Sequence, residues 1–172
     1  MGRLRALALA VLAAPALLLG GCGLTPLYSG GTAGVAQRGL SGIMVPAIPG
    51  QNGWLLHNAL VDQIPQPAQG SARYRLDVKL DDRLEGLGLL SNDTVGRERR
   101  TLRARYQLVD LTNDEVVLDA TAGSDAGLDV VSSEYATVAA EQTALENLVR
   151  VVSTKIVTNL AVQMRAMAKD KP

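Results

Sequence analysis

Polar and apolar positions alternate most regularly around residue 77. Tyr74, Leu76, Val78 and Leu80 interleave with Arg73, Arg75, Asp77, Lys79 and Asp81. A period of two places one set against a core and the other in water, so this segment is predicted to be a half-buried strand. A second strand is predicted from Leu102, Ala104, Tyr106 and Leu108 against Arg103, Arg105 and Gln107. After a turn at Thr112-Asn113-Asp114, a third sets Val116, Leu118, Ala120 and Ala122 against Asp119 and Thr121, completing an antiparallel meander. Two segments change to the helical period. From Gly53 to Ile64 the residues Leu55, Leu56, Ala59, Leu60 and Ile64 form one apolar face, with Asn52 available as a cap and Pro65 as the stop. Behind Ser132 or Ser133 as cap, Val138, Leu145, Leu148, Val149, Val152, Ile156, Leu160, Met164 and Met167 keep helical spacing to near Ala168. Such a helix is about 50 Å long and would overhang strands of ordinary length. Ile43 to Ile48 is a short apolar run that Pro46 confines to a sheet edge. The order β-α-β-β-β-α predicts an α+β two-layer sandwich: a mainly antiparallel four-stranded sheet with one short helix and one long C-terminal helix. The place of the first strand in the sheet is not readable from the pattern.

The first residues follow neither period. Arg3 and Arg5 precede 14 uncharged apolar residues, Ala6 to Leu19, too few to cross a bilayer core, which takes about 20. Charge, length and the small residues that follow match a secretory signal. Leu19-Gly20-Gly21-Cys22 resembles the lipobox of bacterial lipoproteins. That resemblance implies removal of residues 1–21, a diacylglycerol on the Cys22 sulfur and an acyl chain such as palmitate on its new amine. Several chains at about 0.8 kcal/mol per buried CH₂ hold a domain on a membrane, where one chain is marginal. Gly23 is not the Asp that retains such proteins at the inner membrane, which implies the outer membrane. Arg3 and Arg5 are not adjacent, so a twin-arginine signal is excluded. Residues 22–41, with the Gly- and Ser-rich SGGTAGVAQRGLSG, read as a flexible tether, and 42–172 as the folded domain.

Composition then narrows the chemistry. The 172 residues carry 17 basic and 17 acidic side chains, and the predicted cleavage leaves a slight acidic excess, which argues against a general nucleic-acid binder. One Cys and one His exclude a disulfide framework and the usual zinc sites, and leave almost no route to a catalytic dyad. No phosphate-binding glycine loop is present: Gly86 and Gly88 lead into Leu89-Leu90 without a Lys-Ser/Thr pair. Asn92-Asp93-Thr94 fits a glycosylation pattern that a bacterial lipobox makes coincidental. His57 reads as an ordinary helix residue. No catalytic residue, metal or cofactor beyond the lipid on Cys22 is expected. Two features invite a binding role. Arg97, Arg99, Arg100, Arg103 and Arg105 place five guanidiniums in nine residues running from a loop into a strand. Guanidinium forks suit phosphates, although the same residues also suit a solvated strand face paired with Asp77, Asp81 or Asp119. The leucines of Gly86-Leu87-Gly88-Leu89-Leu90, read as a loop, either meet a partner or fold back onto the core.

Short patterns along the chain resemble the LptE family of lipopolysaccharide-assembly lipoproteins. Gly21-Cys22-Gly23-Leu24-Thr25-Pro26-Leu27-Tyr28 is similar to the family's GCGF-x-PLY opening. The likeness continues through Leu55-Leu56-His57-Asn58-Ala59-Leu60, Tyr74-Arg75-Leu76, Tyr106-Gln107-Leu108-Val109-Asp110 and Ser133-Glu134-Tyr135-Ala136. Leu24 stands where an aromatic is usual and His57 where Arg is common. Alphaproteobacterial members are most alike. The resemblance implies a non-enzymatic protein that plugs and helps assemble the LptD β-barrel in the outer membrane and binds lipopolysaccharide, with the arginine cluster on lipid A phosphates or the barrel lumen. An accessory lipoprotein of a lipid-transport ABC system, facing the periplasm, is the alternative.

Overall fold

The computed structural model describes residues 35–67, 70–89 and 95–169. The lipobox and Cys22 lie outside these. The elements run α1 (Val35–Leu40), β1 (Ile43–Met44), α2 (Gln51–Val61), β2 (Tyr74–Leu89), β3 (Val95–Asp110), β4 (Glu115–Asp129) and α3 (Glu134–Lys169). The fold is α+β, as the periodicities predict. One four-stranded sheet has the order β1-β2-β3-β4. β1 is parallel to β2, and the other two pairings are antiparallel.

The apolar phase of each strand faces the helices. Leu76 lies opposite Leu108, Leu80 opposite Ala104, and Ala104 opposite Ala122. Against them pack Leu56 and Leu60 of α2 and Leu145, Leu148, Val152, Ile156 and Leu160 of α3. Tyr106 is fully buried and accepts a hydrogen bond from Asn159 Nδ2 at 2.9 Å, which satisfies the phenol where its ring fills the core. The other sheet face carries the polar phase.

Several local expectations change. The segment before residue 42, expected to be tether throughout, ends in α1, and Leu40 is buried. β1 spans two residues rather than the whole apolar run to Ile48, because Pro46 has no N–H to continue the ladder. Asn52 does not cap α2. Gly50 occupies that position at φ 84°, and Asn52 Nδ2 donates to Asp82 instead. Gly86 to Leu89, expected to be a loop, belongs to β2, and Leu87 is exposed; Leu90 lies outside the described residues. The arginine run lies wholly within β3. With 16 residues in β2 and β3, the strands are about 50 Å long. They match the 36-residue α3, so the helix does not overhang a short sheet. Only its middle is packed: buried positions run from Ala144 to Met164, whereas Tyr135 and Val138 are exposed.

Candidate binding surface

The five arginines divide between the two sheet faces, since neighbouring strand residues point in opposite directions. Arg97, Arg99, Arg103 and Arg105 lie on the open face and Arg100 on the helix side. Arg100 shares its face with Leu102, Ala104 and Tyr106, and it is the best-anchored of the five. Its Nε and Nη2 reach the two carboxylate oxygens of Asp82 at 3.0 and 2.6 Å, and Nη1 donates to the Glu141 carbonyl at 3.1 Å. Asn52 completes the shell of Asp82 at 2.6 Å. The hydrogen bonds to Asp82 raise the Arg100 pKa above its ordinary value in spite of burial. This network ties β2, β3, α2 and α3 together where the apolar core gives out. One sequence signal pointed to it: Asp82 falls in the same phase as Leu76, Val78 and Leu80, so an acid had to stand on the buried face.

The open-face arginines are exposed and differ in their partners. Arg105 forms a two-pronged pair with Asp119, at 3.1 and 2.7 Å, and Gln107 Nε2 adds a third bond to that carboxylate at 2.9 Å. These bonds raise the Arg105 pKa and, led by Arg105, pull Asp119 down to about 2. Arg97 pairs with Asp129 at 3.1 Å and Arg99 with Asp125 at 4.0 Å. Arg103 faces Asp81 across the ladder and forms no ion pair among the described residues. It lines a depression of about 290 Å³ with Asp81, Arg83, Glu85 and Thr101. Gly123 gives its side chain room, because a Cβ there would come within 3.1 Å of Arg103 Cγ. The open face is therefore striped: mixed charges on β2, cations on β3, and small or acidic residues on β4. Of the acids expected to pair with the cluster, Asp119 does so and Asp77 instead joins Arg75 at 2.9 Å. His57 sits on α2 with Nδ1 3.4 Å from Asn58 Oδ1.

Residues 40–160 match the family model of LptE, described as lipopolysaccharide-assembly. The chain belongs to the LptE family. No curated protein matches it in sequence. Among solved structures, this LptE-family chain is similar to a lipoprotein from Caulobacter crescentus CB15, with TM-score 0.64 and 26% identity over 78% of this chain and 98% of that one. It also shares its fold with the rare lipoprotein B from Shewanella oneidensis, at TM-score 0.56 and 10% identity over 73% and 96% of the two chains. Lipoprotein B from Nitrosomonas europaea is comparable, at TM-score 0.56 and 13% identity over 75% and 86%.

Proposed function

We propose that this LptE-family chain is a non-enzymatic outer-membrane lipoprotein, anchored by lipid on Cys22, that occupies the LptD barrel, supports its assembly and binds lipopolysaccharide. The family match over residues 40–160 carries this reading. The binding surface within it is the basic column Arg97, Arg99, Arg103 and Arg105. These side chains are on the sheet face opposite the helices, and Arg103 offers a guanidinium without an ion-pair partner among the described residues. Lipid A phosphates or acidic groups of the barrel lumen are its natural complements, because a guanidinium fork donates to two phosphate oxygens at once. Arg100, first grouped with these four, is a structural residue and stays out of the test.

Replacing Arg97, Arg99, Arg103 and Arg105 together with Ser is expected to weaken capture of lipopolysaccharide or co-purification of the barrel. Thermal stability should stay close to that of the parent, since exposed ion pairs contribute little. Capture of both at parental levels would rule out this surface. Purification from native outer membranes tests the wider reading: a large β-barrel recovered near 1:1 supports it, and an inner-membrane ATPase complex in its place refutes it.

A further inference from the structure

The chain between Cys22 and α1 has a composition of its own. Residues 22–34 carry no charged side chain, and every large apolar one among them falls between Leu24 and Tyr28. Gly30-Gly31 follows, and glycine lets a chain turn back at little steric cost. Tyr28 is seven residues from Val35, a span of at most about 25 Å. The groups that this segment can reach are therefore those around α1.

Beside α1 lies a groove of about 570 Å³, within the roughly 300–1,000 Å³ of clefts that take small ligands. Its walls are Arg38 and Gly39 of α1, Tyr74 at the start of β2, and Met164, Met167 and Ala168 in the last turns of α3. α1 sits directly on α3 here, since a Cβ on Gly39 would stand 2.6 Å from Met164 Cβ. Two cations border the space. Arg73 is held by Asp110 at 3.2 Å and lies over the Tyr74 ring, 5.1 Å from its centroid. Arg38 is exposed and forms no ion pair among the described residues. Thioether side chains adapt to what they meet and favour the edges of aromatic rings. A guanidinium donates readily to a phenol oxygen. Leucine and tyrosine suit such walls, and a segment tied to α1 by a short flexible linker competes at about millimolar effective concentration. A weak apolar contact is then enough to hold it.

We propose that Leu27 and Tyr28 seat in this groove between α1 and the end of α3. Leu27 packs on Met167, and the Tyr28 phenol accepts from Arg38. The seat needs only the groove and the segment; its consequence for the membrane rests on the proposed lipid at Cys22. With Tyr28 seated, six residues separate the domain from that lipid instead of the 13 back to Val35. The tether shortens from about 45 Å to about 20 Å, and the end of the molecule holding α1 and the C-terminus of α3 faces the bilayer.

The test uses the full chain in its native membrane, carrying Ser29→Cys and Ala168→Cys and treated with a short bis-maleimide. Mass spectrometry is expected to find the two peptides linked within one chain. Ala166→Cys replaces Ala168→Cys in the control. Both alanines are exposed, but two residues along a helix is about 200° round, so Ala166 lies away from the groove at almost the same height. A tether that merely sweeps past would link to both alike. Adding Leu27→Ser and Tyr28→Ser should lower the Ala168 link about tenfold, with the denaturation midpoint unchanged. Maleimide labelling of the parent chain reads the lipid separately: an unreactive Cys22 supports it. If Cys22 reacts, the lipid reading fails, and the same pairs are compared in a Cys22→Ala background, where the seat still predicts the Ala168 link. No link at Ala168, an equal link at Ala166, or a link indifferent to the two serines would overturn the proposal. So would an Ala168→Cys thiol shielded from maleimide in the membrane yet unlinked to residue 29, which puts a phospholipid or another protein in the groove.

Discussion

Two arginines five residues apart in β3 show how far environment outweighs residue type. Arg100 and Asp82 are both largely shielded, at 14% and 15% side-chain exposure, so neither can regain water if its partner is lost. Arg100→Ala is expected to cost about 2–3 kcal/mol, read as a lower denaturation midpoint. Arg105→Ala leaves Asp119 in solvent and should lower stability less than Arg100→Ala does. Its effect appears in titration. Asp119 is held near 2, chiefly by Arg105 and then by Gln107, below the roughly 3.9 of an unfolded chain. A depressed carboxyl stabilises the fold above its unfolded pKa and loses that contribution as pH falls through its folded one, so the loss falls between about pH 4 and pH 2. Carbon-detected titration by NMR should place Asp119 near 2 in the parent and move it up toward 4 in Arg105→Ala. An unmoved value would show that Arg105 is not the cause.

At the scale of elements, close approach rather than helix propensity explains a glycine in the first turn of α2. Gly53 is buried, and a Cβ there would stand 2.7 Å from the backbone carbonyl of Ile48 and 2.8 Å from its Cγ2. The carbonyl cannot swing aside as a side chain would. Gly53→Ala, which raises helix propensity by about 1 kcal/mol in an open helix, is expected to destabilise here by about 1–3 kcal/mol through overpacking. Thermal denaturation decides the sign. The same junction explains the missing cap on α2: Asn52 is pulled toward Asp82, so Gly50 at φ 84° makes the turn into the helix. Propensity ranked Asn52 as a cap because an acid from a distant strand is invisible at that range.

For the whole molecule, the proposed anchor at Cys22 lies outside the folded residues 35–169. Among the described residues no helix is long and apolar enough to cross a membrane. In the proposed role the lipid on Cys22 is what holds the protein to the membrane. Cys22→Ala is expected to shift the protein from the outer-membrane fraction to the soluble fraction with the fold of residues 35–169 unchanged. Retention in the membrane after that change, with the barrel absent, would show a second anchor. The sole tryptophan, Trp54, is 61% exposed, so its fluorescence is unsuited to following the core; circular dichroism of α3 is the better probe of stability.

Strand, helix and face assignments came from periodicity, because burial on one side of an element repeats at that element's own period. That is why Tyr74, Leu76, Val78 and Leu80 read as one wall of a core before any partner was known. The length of β2 and β3 did not, since glycines and arginines at Gly86–Leu89 and Arg97–Arg100 obscure the alternation that pairing across the ladder restores. Nor did the division of the arginine cluster between core and surface, or the pairing of Arg105 with Asp119. Each depends on residues far apart in sequence meeting at one point. Local pattern records which side of an element avoids water, whereas the identity of the group waiting on that side exists only once the chain has folded.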